Sequence, residues 1–368
     1  MFCVIINLYH VHLQAIRGQD EIPVKALLLE EAGLDPKIVS RDLPIPILGT
    51  RDVLVKVKAC GFCHHDVLVM SGVLRRGIDL PLVLGHEVAG EVAEVGSEVS
   101  TVSLGDRVVC LPSDSCGSCQ ECRRDREDRC TNKRGLGHGI HGGFAEYIKV
   151  RESTLLTLGP QIDWIHACLL ACPIGVGLKA MDQAAQIKAG ETVVITGAGG
   201  GLGVHILQAT KERKAKVLAV TSSPKKVALL RDLGADQVLV RGELDFSEVV
   251  LALTEDRGAD VVLDTVGSVL FPSTFRCLGR NGRYVALGEI AGMEVSLNLA
   301  ELIFRSSSVI GSVGVTKMDT DKAIQLVTQN KLRPVISHVF PWKEILEARK
   351  LLQKGEVLGR IVLQPNNF

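Results

Sequence analysis

A regular alternation of strand-like and helix-like segments begins at about residue 174 and limits the folds that this chain can adopt. The strand candidates are ETVVITG, AKVLAV, DQVLV, ADVVLDTV and RYVALG, and helical stretches such as VHILQATKERK and PKKVALLRDLG lie between them. Alternation of this kind is typical of βαβ units whose strands form one parallel sheet. We therefore predict an α/β, doubly wound domain, with VIGSVG as a further strand that closes the sheet.

The chain before about residue 112 follows a different pattern. Short β-type runs, VKALLLEE, DVLVKVKA, EVAGEVAEVG and DRVVCLP, are punctuated by Gly and Pro, which predicts an irregular antiparallel or barrel-like domain. After the α/β part, a helix near 317–330, the run RPVISHVF, a helix WKEILEARKLLQKG and a strand RIVLQ are together too short for a domain. This tail is expected to pack back on the first domain, so that the α/β domain is inserted before the end of the other.

Composition excludes several classes of function. The 368 residues carry 42 basic and 42 acidic side chains, which argues against general binding of nucleic acid or of a membrane surface. No apolar run approaches the roughly 18 residues that indicate a membrane span. The first 23 residues lack a basic region and a cleavage site of small residues, and are interpreted as an extension rather than a signal peptide. The eleven cysteines are spaced for metal rather than for disulfides, which favours a cytoplasmic location.

Four of these cysteines occur in the polar, charged segment 113–134, in the pattern C-x₂-C-x₂-C-x₇-C. Four thiolates at short spacing can close a tetrahedral zinc site with no open position, and such a site orders a loop that has almost nothing apolar to bury. An iron–sulfur cluster needs similar ligands, but the common ferredoxin spacings differ. Disulfides are the other alternative, but bridges formed within such closely spaced C-x₂-C pairs would have unfavourable geometry. We predict a structural zinc bound by Cys116, Cys119, Cys122 and Cys130.

A second group of candidate metal ligands is spread over three stretches, ACGFCHHDVLVMSG, PLVLGHEVAGEVAEVG and LLACPIGVGLKA. A catalytic zinc needs about three protein ligands and an open position for water or substrate. His86 lies in a Gly-flanked turn between apolar runs, where a ligand can be held rigidly, although a lone buried histidine is more often a core residue with satisfied hydrogen bonds. The residues alone leave open which cysteines join it.

The stretch TVVITGAGGGLGVHILQA reads as strand, glycine turn and helix. Such a turn lets the backbone approach a pyrophosphate, which the N–H groups at the helix N-terminus then bind. The strict G-x-G-x-x-G register is absent, and the spacing is G-x-x-G-x-x-G. The alternative is a merely flexible loop. The residues predicted to bind a dinucleotide here are Gly197, Gly199, Gly200, Gly201, Leu202 and Gly203.

The residues at the end of the second α/β strand indicate which dinucleotide the protein prefers. An acid there would bind the 2′-hydroxyl of NAD and repel the 2′-phosphate of NADP. The sequence reads LAVTSSPKK, with the hydroxyls of Thr221, Ser222 and Ser223 followed by Lys225 and Lys226. Hydroxyls and cations suit a phosphate, so NADP(H) is favoured over NAD(H), unless the lysines simply begin a solvated helix.

Taken in order, the C-G-x-C-H-x-D stretch, GHEVAGEVAEVG, the four-cysteine segment and the glycine turn resemble the zinc-dependent alcohol dehydrogenases of the medium-chain dehydrogenase/reductase family. The resemblance extends over residues 24–365. It implies a GroES-like, mostly-β catalytic domain and a Rossmann coenzyme domain. We accordingly divide the chain into an extension (1–23), a catalytic domain (24–172, with the zinc lobe at 113–134), a coenzyme domain (173–311) and a returning C-terminal segment (312–368).

The resemblance also implies roles for individual residues at the catalytic zinc. It makes Cys63, His86 and Cys172 the ligands of this second zinc, Glu87 an acid that can approach the metal, and Asp66 the partner that orients His86. Among rival cysteines, Cys60 is interpreted as core and Cys168 as packing, and Cys3, Cys110 and Cys277 belong to no motif. For the dinucleotide it implies His64 and Arg360 at the phosphates, and Val266 and Gly267 at the nicotinamide ribose.

The implied reaction is hydride exchange between an alcohol and nicotinamide, in a homo-oligomer for which a tetramer is favoured over a dimer. One position departs from the family pattern. Where a Ser or Thr usually starts the route by which the proton leaves, this chain has His65, and Leu68 stands where a histidine often continues it. Either His65 accepts the proton itself, or the protein reduces another acceptor, such as the C=C bond of an enoyl thioester or a quinone. A non-enzymatic structural or nucleotide-sensing role is the remaining alternative.

Overall fold

The computed structural model describes residues 23–124, 126–242 and 244–365. Except for Pro23, the predicted extension 1–23 lies outside the described residues.

The first part of the chain is mostly β, as predicted. Its strands are β1 Val24–Glu31, β2 Lys37–Leu43, β3 Asp52–Phe62, β4 Leu82–Val83, β5 Glu87–Val95, β6 Arg107–Cys110, β7 Ser113–Asp114, β8 Arg134–Gly135, β9 Tyr147–Arg151 and β10 Leu155–Thr157. A small sheet has the order β2-β1-β4, and a larger one contains β10-β6-β5-β3, with β9 also paired to β3. The helix α1, His64–Met70, follows β3 directly. Because β3 is flanked by other strands, its Val53, Leu54 and Val55 are fully buried.

A long apolar helix, α2 (Trp164–Ala185), connects the two halves of the molecule and includes two π-helical stretches, Leu170–Gly175 and Ala180–Ala185. Pro173 lies in the first, where a widened turn accommodates a residue that has no N–H to donate. Contrary to the sequence-based expectation, this helix is long and apolar enough to cross a membrane, but 72% of its most apolar window is buried inside the protein. It has the burial of a central core helix.

The α/β half contains a six-stranded parallel sheet in the order β13-β12-β11-β14-β15-β16. These strands are Thr192–Ile195 (β11), Lys216–Thr221 (β12), Gln237–Val240 (β13), Ala259–Asp264 (β14), Leu278–Ala286 (β15) and Ser308–Gly311 (β16). The helices are α3 Gly203–Glu212, α4 Val227–Asp232, α5 Phe246–Leu253, α6 Phe271–Arg276 and α7 Leu299–Arg305. The strand order reverses between β11 and β14, and ligands of doubly wound folds bind at the carboxyl ends of strands beside such a switch point.

The chain then returns to the β-rich half, through α8 (Lys317–Thr328), β17 (Ile336–Pro341), α9 (Ile345–Gln353) and β18 (Arg360–Gln364). Strand β18 pairs antiparallel with β3 and parallel with β17, which extends the larger sheet. The fold is therefore the predicted combination of a mostly-β domain and a Rossmann domain. The limits proposed at residues 172 and 311, which lie inside α2 and at the end of β16, stay predictions.

Candidate active site

Four side chains from three separate parts of the fold converge near the start of α2. Cys63 caps the N-terminus of α1, His86 and Glu87 lie at the start of β5, and Cys172 lies in the first π-helical stretch of α2. Their candidate ligand atoms all lie within 4.8 Å of one another. The Nε2 atom of His86 is 3.6 Å from the Cys172 Sγ atom. Two thiols, an imidazole and a carboxylate at these separations fit a zinc ion by their donor chemistry.

Asp66 lies behind His86, on the side away from the thiols. Its Oδ1 atom is 3.5 Å from His86 Nδ1 and accepts a hydrogen bond of 3.2 Å from the N–H of Gly85. Its Oδ2 atom accepts a hydrogen bond of 2.8 Å from the N–H of Cys63. Burial by itself would lower the pKa of His86, but the charge of Asp66 raises it well above its ordinary value. This fully buried carboxylate thus connects both loops that carry candidate ligands, as a group that orients a metal-binding imidazole would.

Glu87 forms a buried ion pair with Arg360, at 3.0 Å from Oε1 to Nη2. Burial raises the pKa of Glu87 to about 7, although the charge of Arg360 works in the opposite direction. Gly61 leaves room for this carboxylate, since a Cβ atom there would lie 1.9 Å from Glu87 Oε2. The other side of the guanidinium faces the glycine turn, because a Cβ at Gly201 would lie 2.6 Å from Arg360 Cζ. Arg360 therefore lies between the candidate metal cluster and the predicted phosphate-binding turn.

The rival cysteines Cys60 and Cys168 are fully buried and belong to neither group of candidate ligands within the described residues. Burial raises the pKa of both thiols well above the ordinary value. The Cys168 Sγ donates a hydrogen bond of 3.4 Å to the carbonyl of Ile165. These surroundings match their interpretation as packing residues.

The cysteine-rich lobe brings its four thiols together. The sulfurs of Cys119 and Cys122, of Cys119 and Cys130, and of Cys130 and Cys116 are separated by 3.5, 3.9 and 3.5 Å. A tetrahedral zinc with Zn–S bonds of about 2.3 Å would place its sulfurs about 3.8 Å apart. The thiol group therefore fits a structural zinc.

A lobe residue that the sequence did not single out, Asp128, contacts α2. Its Oδ2 atom lies 2.8 Å from Lys179 Nζ, which also donates a 2.8 Å hydrogen bond to the carbonyl of Val313. Lys179 is 7% exposed and lies on the same helix as Cys172. The lobe and the helix that carries a candidate ligand are thus connected by a partly buried ion pair.

The glycine turn joins β11 to α3. Gly197 has a φ of 58°, and a Cβ at Gly203 would lie 2.4 Å from the Gly197 carbonyl oxygen, so a larger residue is excluded at both positions. Gly199 accepts a 3.0 Å hydrogen bond from the N–H of Gly359, and Gly200 forms a bridge with the same residue. The turn is therefore connected to the returning C-terminal segment just before Arg360, and Leu202 precedes α3.

The residues after β12 divide into buried and exposed groups. Thr221 is buried and its Oγ1 accepts a hydrogen bond from the N–H of Ser223, whereas Ser222 is exposed. Lys226 is 8% exposed, and its Nζ donates a 2.6 Å hydrogen bond to the carbonyl of Val357. Lys226 thus braces the C-terminal segment here. The exposed cation at this strand end is Lys225.

The loop after β14 is organised by the fully buried Asp264. Its Oδ1 atom accepts hydrogen bonds from the N–H groups of Val266 and Gly267, at 2.9 and 3.0 Å. Gly267 has a φ of 86°, which favours glycine. The loop lies where the strand order reverses, between β11 and β14. This is the position that the predicted contact with the nicotinamide ribose requires.

The two adjacent histidines face different surroundings. The ring of His65 meets His86 edge-on at 5.0 Å and lies 5.3 Å from His138, which the sequence did not single out. Burial and the neighbouring His86 lower the pKa of His65 to about 4, so it is neutral at pH 7. Burial also lowers the pKa of His64, against the influence of Cys63. The sequence could have indicated His138 through the stretch HGIHGG, in which two histidines lie among glycines. Its proximity to His65 is visible only in the folded chain.

This chain resembles known proteins in both sequence and structure. Residues 49–160 match the family model of the alcohol dehydrogenase GroES-like domain, and residues 201–329 match that of the zinc-binding dehydrogenases. An acryloyl-coenzyme A reductase from Metallosphaera sedula is 33% identical over 324 residues, which cover 88% of this chain and 95% of the relative. An NAD-dependent alcohol dehydrogenase from Sulfolobus acidocaldarius is 32% identical over 351 residues, or 93% of this chain and 99% of the relative.

A solved alcohol dehydrogenase from Aeropyrum pernix superposes with a TM-score of 0.87 and 32% sequence identity, over 93% of this chain and 100% of that one. At this coverage the match extends over both halves of the molecule. The chain therefore belongs to the zinc-binding, NAD(P)-dependent oxidoreductases of the medium-chain dehydrogenase/reductase family, as its sequence motifs indicated.

Proposed function

We propose that this protein is a zinc-dependent alcohol dehydrogenase that transfers hydride reversibly between a primary or secondary alcohol and NAD(P)⁺, giving an aldehyde or ketone. The observation that carries the proposal is the buried group of Cys63, His86 and Cys172, whose ligand atoms lie together beside the dinucleotide fold. These three residues would hold a zinc ion, which would supply a Lewis acid for the oxygen of an alcohol or a carbonyl substrate.

The surrounding residues have supporting roles in this proposal. Asp66 fixes the orientation of the His86 ring from behind. Arg360 balances the charge of Glu87 on one side and offers its guanidinium to the dinucleotide phosphates on the other. His64, Val266 and Gly267 are proposed to contact the rest of the cofactor. The glycine turn provides backbone N–H groups for the pyrophosphate.

Reduction of an enoyl thioester is a second candidate, because His65 replaces the usual hydroxyl and a curated relative is named acryloyl-coenzyme A reductase. Both candidates are tested by following nicotinamide absorbance with purified enzyme of measured zinc content. Alcohols, aldehydes and acryloyl- or crotonyl-coenzyme A would be offered with each dinucleotide. Turnover of alcohols or aldehydes well above that of enoyl thioesters supports the first candidate, and the reverse preference favours the second.

His65 is proposed to accept the substrate proton in alcohol oxidation. Its Nδ1 atom is buried and has no hydrogen-bond partner among the described residues. Replacing His65 by Phe is expected to lower kcat for alcohol oxidation by roughly a hundredfold, the lower range for loss of a general base, and to change its pH profile. His65→Ser, which restores the hydroxyl common in the family, should recover part of the rate. Equal rates and pH profiles in the wild type and the Phe variant would exclude His65 as the proton acceptor.

NADP(H) is proposed as the preferred dinucleotide because no acid follows β12, where Ser222, Ser223 and Lys225 stand. Ser223→Asp introduces a carboxylate that repels a 2′-phosphate, and is expected to weaken NADPH binding at least about tenfold while sparing NADH. Fluorescence titration of both reduced dinucleotides measures this. A wild-type protein that binds NADH more tightly, together with an unchanged NADPH affinity in the variant, would reverse the assignment.

We also propose a cytoplasmic homo-oligomer, with a tetramer favoured over a dimer. The ten described cysteines are free, which suits a reducing compartment. Strand β16 is an edge of its sheet and begins three residues after α7, on which the apolar side chains of Leu299, Ile303 and Phe304 are exposed. An unpaired edge and exposed apolar side chains are suited to contact with a second copy. Light scattering tests the assembly. A single-chain mass at micromolar concentration would contradict it.

A further inference from the structure

A cleft of about 600 Å³ separates the end of β12 from the segment that follows α9. One wall contains residues 222–226, and the other contains residues 354–358 with His338 and Leu351. The cleft is next to the glycine turn, because Gly359 donates its hydrogen bond to Gly199 and Lys226 reaches across to Val357. A dinucleotide that places its pyrophosphate on the turn would therefore bring its adenosine ribose to this cleft.

The charged groups of the cleft are arranged asymmetrically. Its titratable residues are Lys225, Lys226, His338, Lys354 and Glu356. Lys226 is buried against the Val357 carbonyl, as described above. Lys225 and Lys354 are exposed, lie on opposite walls, and have no carboxylate partner among the described residues. Two cations therefore face one cleft with a single carboxylate, Glu356, beside them.

The remaining polar groups complete a site for an anion. The hydroxyls of Ser222 and Ser223 lie on the β12 wall. On the opposite wall, the ring of His338 is held by Phe340, on which it stacks at 5.6 Å, and by Ser337 Oγ, 2.8 Å from its Nδ1 atom. Phosphate is recognised by combinations of lysine and hydroxyl donors of this kind.

We infer that this cleft binds the 2′-phosphate of NADP(H), and that Lys354 of the returning C-terminal segment determines cofactor preference together with Lys225 of the β12 end. The inference rests on the proposed dinucleotide-dependent function. Lys226, the lysine that the sequence favoured for this role, instead fixes the distance between the two walls through its contact with Val357. Glu356 opposes binding of the phosphate by like charge and limits its affinity.

The test is calorimetric titration of the intact enzyme with NADPH, with NADH and with adenosine 2′-monophosphate. Lys354→Gln is expected to weaken the binding of NADPH and of adenosine 2′-monophosphate about tenfold, the usual scale for one charge-assisted contact. The affinity for NADH should change by no more than about twofold. Glu356→Gln should have the opposite effect and increase the affinity for NADPH severalfold. Lys350→Gln is the matched control, because Lys350 lies on α9, pairs with Glu347 and is outside the cleft.

The outcomes separate this inference from the proposed function. Loss of NADPH affinity alone in the Lys354 variant supports it. A wild-type protein that prefers NADPH, combined with an unaffected Lys354 variant or with equal losses for both dinucleotides, overturns the inference and leaves the function intact. Failure of the wild type to bind either dinucleotide overturns both. Unchanged melting temperatures in these exposed-residue variants would confirm that the comparison is made between folded proteins.

Discussion

Replacing Cys172 by serine is expected to remove one of two zinc ions per chain and to lower kcat by about a thousandfold. Cys172 lies with Cys63 and His86 in a group whose donor atoms are within 4.8 Å, so loss of its sulfur leaves only two of the three proposed ligands and Glu87. A Lewis acid that stabilises developing charge contributes several kcal/mol to the transition state, and about 4 kcal/mol corresponds to this loss of rate. Elemental analysis of zinc per chain and steady-state rates measure the two effects.

Cys168→Ala provides the matched control for this substitution. Cys168 lies four residues earlier on the same helix, is fully buried, and is outside the candidate ligand groups of the described chain. Its loss should lower stability without changing the zinc content or the rate of the folded fraction. Two zinc ions per chain in the Cys172 variant, or one in the Cys168 variant, would reverse the assignment of ligand and packing cysteine.

The sequence predicted those parts of the molecule that depend on local pattern. The alternation after residue 174 predicts the parallel sheet because each βαβ unit has its own turn and periodicity, and the structure confirms it. The four clustered thiols could be grouped because they are close along the chain. Recognition of the family motifs was needed to associate Cys63, His86 and Cys172, which are distant in sequence.

Contacts formed only in the folded chain were not predicted. Lys226 has the spacing of a phosphate-binding residue, but its ammonium group contacts a carbonyl 131 residues later. His138 approaches His65 only because the loop after the lobe folds over α1. The same is true of Arg360 and Glu87, whose ion pair depends on the return of β18 to β3. Each of these contacts joins residues that are far apart in the sequence, and no local periodicity indicates such a contact.

Removal of a lobe thiolate is expected to affect α2 as well as the lobe. Cys122→Ser would open the proposed structural zinc site, and because metal binding stabilises the folded form of such loops, the melting temperature should fall by at least about 5 °C. Asp128 lies between Cys122 and Cys130, and its carboxylate contacts Lys179 on the helix of Cys172. The lobe therefore contributes to the position of a catalytic ligand, and activity should fall although the catalytic zinc is retained.

Two further variants separate these contributions. Asp128→Asn leaves all four lobe cysteines in place but removes the charge that pairs with Lys179, so it should keep two zinc ions per chain while lowering kcat. Gln120→Ala is the control within the lobe, because Gln120 is exposed and is not one of the four cysteines. Zinc content, melting temperature and limited proteolysis of residues 113–134 would be measured for each variant. If Cys122→Ser keeps both zinc ions and resists protease like the wild type, the assignment of Cys122 as a required ligand of the structural zinc is wrong. If Asp128→Asn has unchanged kinetics, the ion pair contributes to stability alone, because a link from the lobe to the catalytic helix requires an effect on turnover.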